Sequence, residues 1–332
     1  MRRGPASSIA CLCLLACAAC AALLVPAGGS AANARVVGHG TPASCTSAAV
    51  VAAVRAGGAI RFSCGPAPVT IKMTATAKVM NTSPQVIIDG GGRVTLSGQG
   101  RRRILYMDTC DQAQVWTTSH CQDQATPHLV LENLTLSGGN STGQGFDGGG
   151  GGAVFARGGR LTIIRSIFSG NRCDSEGPDL GGGAVRALSQ YHGLPVSVTA
   201  SRFSANVCSN GGALSSIGVS WTVANSRFLG NRAIGHGANP ARPGTPGGGS
   251  GGAIYNDGDA MALSITTSTF TGNRANEGGG AIFYVSNDRT GTMAISHSTL
   301  EDNPNLGFHT AGLPGIFFLG ARAPAITGSV LR

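Results

Sequence analysis

VTASRFSAN (198–206) and VANSRFLGN (223–231) are two copies of a phrase that also reads IIRSIFSGN (163–171), ITTSTFTGN (265–273) and ISHSTLEDN (295–303). The copies recur every 25 to 42 residues, too closely for domains, which is the mark of a solenoid. A second marker alternates with them, Gly-Gly-Ala plus an apolar residue, at 151–154, 182–185, 211–214, 251–254 and 279–282. Each unit therefore has one strand of period-two alternation, a tight turn at Asn, and a second short strand that opens on glycine. In the first strand an Ile or Val is followed three residues on by Ser and, two further, by Phe or Leu. The two-residue step puts Ser and Phe on one side of a strand. The three-residue step puts the Ile or Val on the other side unless a bend intervenes.

This pattern predicts a coil in which each strand pairs in parallel with its copy one turn away, at about 4.8 Å. Phe168, Phe203, Phe228, Phe270 and Leu300 then form an inward stack, and Asn171, Asn206, Asn231, Asn273 and Asn303 a column at the corner. Asn tolerates the left-handed conformation of a sharp bend, and its amide can bond to the next Asn in the column. β-branched runs and 53 glycines argue against α/α repeats.

The opening MRRGPASSIACLCLLACAACAALLVPAGGSAANA reads as a secretory leader over 1–34, with Arg2 and Arg3 ahead of an apolar run and small residues after it. Nothing later is long and apolar enough for a transmembrane helix. Residues 35–58 read as an N-terminal cap with a short apolar helix at 47–56, stopped by Gly57 and Gly58, and 59–332 as the coils. The last unit, ITGSVL (326–331), shows no cap, so either 306–322, with its apolar GIFFLG, covers the final coil or the C-terminal end is a candidate surface for self-association.

Six cysteines follow the leader, an even number suited to disulfides in an exported chain. Cys45 with Cys64 ties the cap to the first strand, and Cys110 with Cys121 closes the insert DQAQVWTTSH. Cys173 and Cys208 each stand two residues past a corner Asn, so stacked coils bring them together. The formal charge is +9, of which Arg2 and Arg3 supply two. An exported basic chain suits an acidic polysaccharide or another cell-surface component. No nucleic-acid motif is present.

The units differ in length, and the extra residues lie in 172–181, 186–195 and 233–250. Unequal turns mark where something besides the rod is built. DSEGPD supplies Asp174, Glu176 and Asp179 as ligand-binding carboxylates, and RALSQYH supplies Arg186, Tyr191 and His192 as the candidate base and proton donors of a lyase. No cofactor is required; calcium on those carboxylates is the one the pattern admits, and no metal ligands are assigned. Arg101, Arg102 and Arg103 form a basic run suited to an anionic chain. Asp257 and Asp259 in YNDGDA are the nearest paired carboxylates, read here as a turn, and Asp89 shapes another.

The phrases FSGN (168–171), FSAN (203–206), FLGN (228–231) and FTGN (270–273), with GGAV, GGAL and GGAI between them, resemble the Phe-x-x-Asn and Gly-Gly-Ala-Ile repeats of the chlamydial polymorphic outer membrane proteins and of other secreted right-handed parallel β-helix proteins. The resemblance is strong over 150–303 and weaker over 59–149, and its motifs build scaffold. It implies an all-β fold, a single-stranded right-handed parallel β-helix (solenoid) with a short N-terminal capping helix. It also implies an adhesive or structural role at the cell surface or on extracellular glycan. The membrane-protein relatives look like passenger domains on a C-terminal translocator barrel, for which the stretch after 303 leaves no room. Pectate lyases and polygalacturonases are similar in architecture only, which leaves a carbohydrate-active enzyme as the alternative.

Overall fold

The computed structural model describes Met1, residues 34–145 and residues 149–332. The expected leader falls almost wholly on 2–33, outside the described residues. From Ala34 onward the chain is a parallel β-helix. Among the described residues the strands form sheets of seventeen, eight and three strands, and every ladder between them is parallel. The ladder registers match the repeat: Val198 pairs with Ile163 and Val223, and Phe203 with Phe168 and Phe228.

The three-residue step from Ile or Val to Ser is resolved by a bend. Arg165, Ala200, Asn225, Thr267 and His297, each just before the serine, all take positive φ, between 45° and 52°. The strand turns there, so Ile163, Ser166 and Phe168 are all fully buried. The serines form a ladder of their own: the backbone N–H of Ser166 donates to Ser201 Oγ at 3.1 Å. The same bond recurs from Ser201 to Ser226, Ser226 to Ser268 and Ser268 to Ser298. The phenyl rings stack with centroids 4.4 to 4.9 Å apart.

The asparagine column is continuous. Asn171 Nδ2 donates to Asn206 Oδ1, Asn206 to Asn231, Asn231 to Asn273 and Asn273 to Asn303, at 2.8 to 2.9 Å. The left-handed residue at the corner is the one before each Asn (Gly170, Ala205, Gly230, Gly272, Asp302), which corrects the expectation that Asn itself takes that conformation. The asparagine is selected as donor and acceptor in a buried column, not for its φ. In the Gly-Gly-Ala marker the first glycine, such as Gly182 (φ 76°), turns the chain. The second packs so closely that a Cβ on Gly183 would stand 2.3 Å from the Gly212 carbonyl oxygen.

Ser47–Ala56 is a helix, capped by Thr46, whose side chain accepts from Ala49 N–H, and ended by Gly57 at φ 70°. Its Val50 and Val54 are fully buried in the core of the first turns. Disulfides join Cys45 to Cys64, Cys110 to Cys121 and Cys173 to Cys208. Ala325–Thr327 and Val330–Leu331 extend the two faces of the large sheet by a further rung. Among the described residues no helix is long and apolar enough to cross a membrane.

Candidate functional site

On the eight-stranded sheet, alternation sends Val185 and Ala187 into the core and Arg186 and Leu188 outward. Register then lines up two outward rows. One runs Phe155, Arg186, Ser215, Tyr255, Phe283; the other runs Arg157, Leu188, Ile217, Asp257, Val285. The first row is roofed by loops and buried, while the second floors a groove of about 580 Å³. Four insertions from three turns wall it: Gln122 after the Cys110–Cys121 insert, Asp179 and Ser189 on either side of Val185–Leu188, and Asn239.

The loops hold one another. Arg242 grips Glu277 with both guanidinium nitrogens, at 2.7 and 2.9 Å, and Gly237 N–H donates to the same carboxylate. Arg242 thereby holds the Glu277 carboxyl below its ordinary pKa. This pins a small antiparallel ladder, with bridges His236–Gly247 and Ala238–Gly248. Gly177 N–H donates to the Gly247 carbonyl, and Ser209 and Asn210 bond the carbonyls of Gly177 and Pro178. Gly248 has no substitute, since a Cβ there would stand 2.0 Å from Ser209 Oγ and φ is 94°. Across the groove Ser189 Oγ donates to Gln122 Oε1, and His192 N–H to Asp123.

Inside, Asn239 Nδ2 faces Asp179 Oδ1 at 3.1 Å, Asp257 Oδ2 at 2.9 Å and the Tyr255 hydroxyl, so two protons serve three acceptors. The two carboxylates' facing oxygens thus lie within about 6 Å, near the spacing at which carboxyl pairs cleave glycosides. Tyr255 donates its hydroxyl proton to Asp257 Oδ2 at 3.0 Å, and Asn287 Nδ2 reaches Asp257 Oδ1. Burial pushes the Asp257 carboxyl above its ordinary pKa, against the pull of those bonds, and keeps the Tyr255 phenol neutral. Arg186, 1% exposed, donates to Ser215 Oγ at 2.9 Å, while its Nε has no partner. Burial lowers its pKa to about 10, with Tyr255 and Asp179 opposing, so it stays cationic at neutral pH.

The residues singled out from sequence divide. Arg186 and Asp179 line the groove. Tyr191 and His192 stack on each other, centroids 4.0 Å apart; His192 lines the adjoining hollow, which shares Gln122 and Ser189 with the groove. Asp174 lies elsewhere, accepting from Gly143 N–H at 2.8 Å, and Glu176 is exposed outside the groove. Among the described residues no three His, Cys, Asp or Glu side chains are grouped to hold a metal. The basic run is not one surface. Arg103 is buried beneath the Tyr106 and Phe155 rings and donates to the Gly150 and Gly151 carbonyls. Arg102 bonds the Thr74 carbonyl, and Arg101 alone is exposed. The tight turn that carries the run sends its side chains apart. Asp89 does shape a turn, accepting from Gly91 N–H and from Asn133.

YNDGDA opens as a strand, Ile254–Gly258, so Tyr255 and Asp257 share its outer face, and Asp257 shares the Asn239 amide with Asp179, not with Asp259. Counting from each Gly-Gly-Ala marker would have placed Arg186, Ser215 and Tyr255 in one column. Asn239 and Asn287 carry no such signal.

Residues 267–284 match the Chlamydia polymorphic membrane protein repeat, a stretch that runs from one bend through the Asn273 corner to the Gly-Gly-Ala strand. No curated protein and no solved structure matches the chain.

Proposed function

We propose that this chain is an exported parallel β-helix that acts at the cell surface by holding an extracellular glycan in the groove over its eight-stranded sheet. The observation that carries this is convergence: four insertions from three turns, separated by up to 117 residues between Gln122 and Asn239, meet on one groove. Insertions merely tolerated by a rod have no reason to share a face. The lining suits sugar hydroxyls, with the Asp179 and Asp257 carboxylates and the Asn239 and Asn287 amides above a floor of Leu188 and Ile217. Arg186 and Arg157 add positive charge for a uronate. Three disulfides fit folding in an oxidising compartment, the charged-then-apolar N-terminus fits export, and the repeat of a surface-protein family fits the location.

The test is calorimetric titration of the oxidised protein with neutral and uronate-bearing oligosaccharides, with Asn239→Ala and Asn287→Ala beside it. Binding that both variants weaken is expected. Absence of glycan binding, or equal binding by the variants, overturns the assignment.

A second reading, cleavage of the bound glycan, is favoured by the Asp179–Asp257 pair, one member of which is shifted toward the protonated form a general acid needs. The same mixtures, with and without calcium, are assayed for unsaturated products and for reducing ends. Unsaturated products identify a lyase, reducing ends alone a hydrolase, and neither, with binding retained, a binding protein.

A further inference from the structure

Five arginines that look dispersed in the sequence are brought into register on another part of the rod. Arg202 and Arg227 are paired neighbours on the outward face of the large sheet, in the row Ile167, Arg202, Arg227, Thr269. Past the asparagine corner a second row runs Arg172, Val207, Arg232, Arg274. All five guanidinium-bearing residues are exposed, and among the described residues none of them has a side-chain hydrogen-bond or ion-pair partner. Between the rows lie the positions Ser169, Ser204, Leu229 and Thr271 and the corner positions Gly170, Ala205, Gly230 and Gly272, so Leu229 is the one large side chain among these eight. A hollow of about 440 Å³, lined by Arg172, Gly170, Ala205 and Ser175, opens at the same corner. Ser169, Ser204 and Thr271 add hydroxyls along the first row.

Among the described residues, carboxylates stand at the margins. Asp174 and Glu176 follow Arg172, Asp174 turned toward Gly143. Glu301 lies a rung beyond Thr271 and is paired with Arg332 at 2.7 Å, and Asp302 occupies the corner position of that same rung. Rungs about 4.8 Å apart put like charges close enough to repel within one screening length, an arrangement that costs stability unless an external anion offsets it.

We propose that this corner is a binding strip for a linear polyanionic polysaccharide, bearing sulfate or carboxylate on successive sugars, laid along the rod axis with its anionic groups alternating between the two arginine rows. The ligand is a chain and not a small anion, because the charges are strung over four rungs with no pocket that converges on one point. The strip is independent of the groove, which lies on the eight-stranded sheet.

The test uses the full oxidised protein and measures affinity for dextran sulfate and polygalacturonate, with neutral dextran and anionic phosphatidylserine vesicles alongside. Arg227→Gln/Arg232→Gln flanks the corner from both sides and touches no core residue. Arg61→Gln/Arg322→Gln removes the same charge from exposed sites elsewhere. The strip predicts binding to both polyanions that weakens with salt, about tenfold weaker in the corner pair at low ionic strength and nearly unchanged in the control pair. Asn239→Ala, a groove variant, leaves it intact, so failure here and failure of the groove assignment are separable. Equal losses in the two arginine pairs show an effect of net charge alone and overturn the strip. Failure to bind either polyanion, or binding to vesicles only, overturns it as well.

Discussion

Asn231 is fully buried and makes four bonds through its side chain: Oδ1 accepts from Asn206 N–H at 3.1 Å and Asn206 Nδ2 at 2.9 Å, and Nδ2 donates to the Phe203 carbonyl at 3.0 Å and Asn273 Oδ1 at 2.9 Å. Asn231→Ala leaves the Asn206 N–H without its acceptor and the Phe203 carbonyl without this donor. Asn206 Nδ2 keeps the Phe168 carbonyl, and Asn273 Oδ1 keeps the backbone N–H of residue 231. Two orphaned buried groups at about 1–3 kcal/mol each, plus a small void, give a loss of about 3–5 kcal/mol. Asn231→Asp sharpens the test. It retains the acceptor oxygen but sets a second oxygen against two acceptors, so the folded state holds the carboxyl protonated and raises its pKa above the unfolded value of about 3.9. The folded state then binds more protons than the unfolded one across that window. Stability therefore falls as pH rises from the unfolded pKa to the folded one, and is lowest above it. Urea unfolding followed by circular dichroism should place Asn231→Asp near wild type in acid and well below it at neutral pH. A loss under about 1 kcal/mol for Asn231→Ala, or a pH-independent gap for Asn231→Asp, would refute the ladder as a stabilising element.

Two further outcomes are expected. Because burial raises the folded-state pKa of Asp257, its charged form costs stability at neutral pH and the cost disappears as acid protonates it; Asp257→Asn should raise the melting temperature at neutral pH, leave it unchanged in acid, and weaken glycan binding. The Cys173–Cys208 bridge spans 35 residues, and closing a loop of that length is worth about 3–4 kcal/mol on the chain-entropy model; Cys173→Ser/Cys208→Ser should lower the urea midpoint and steepen the slope, because the denatured chain without the cross-link exposes more surface.

What the sequence made legible was whatever repeats with the same residue. The Phe and Asn columns, their register and the Cys173–Cys208 pairing follow from copies that differ little, because an inward position in a parallel stack meets its own equivalent above and below. The bend residue was hidden because Arg165, Ala200, Asn225, Thr267 and His297 share only an exposed, positive-φ backbone that the fold can impose on any of them. The groove was half visible. Arg186 and Asp179 stood in segments marked by their extra length, but Tyr255 and Asp257 were obscured by the glycine after them, and Asn239 reaches them only because Glu277, 35 residues beyond Arg242, anchors its loop.

The buried polar columns explain how such a rod can carry so much else. Each turn is held to its neighbours by one Asn, one Ser and one ring, all contributed by the short repeated phrase, so the length between phrases is free to vary: 25 residues from Asn206 to Asn231 and 42 from Asn231 to Asn273, with the same 2.9 Å bond across both. The 42-residue turn carries the 236–248 loop into the groove without disturbing the column. The exposed positions are equally free, since neither Arg202 nor Arg227 takes part in any column, and stacking alone sets them a rung apart. A scaffold stabilised by identical inward contacts thus leaves its loops and its outer rows as two separate substrates for function. The groove and the arginine strip each use one of them, and a variant that abolishes either binding should leave the Asn, Ser and ring columns, and with them the cooperative unfolding of the rod, intact.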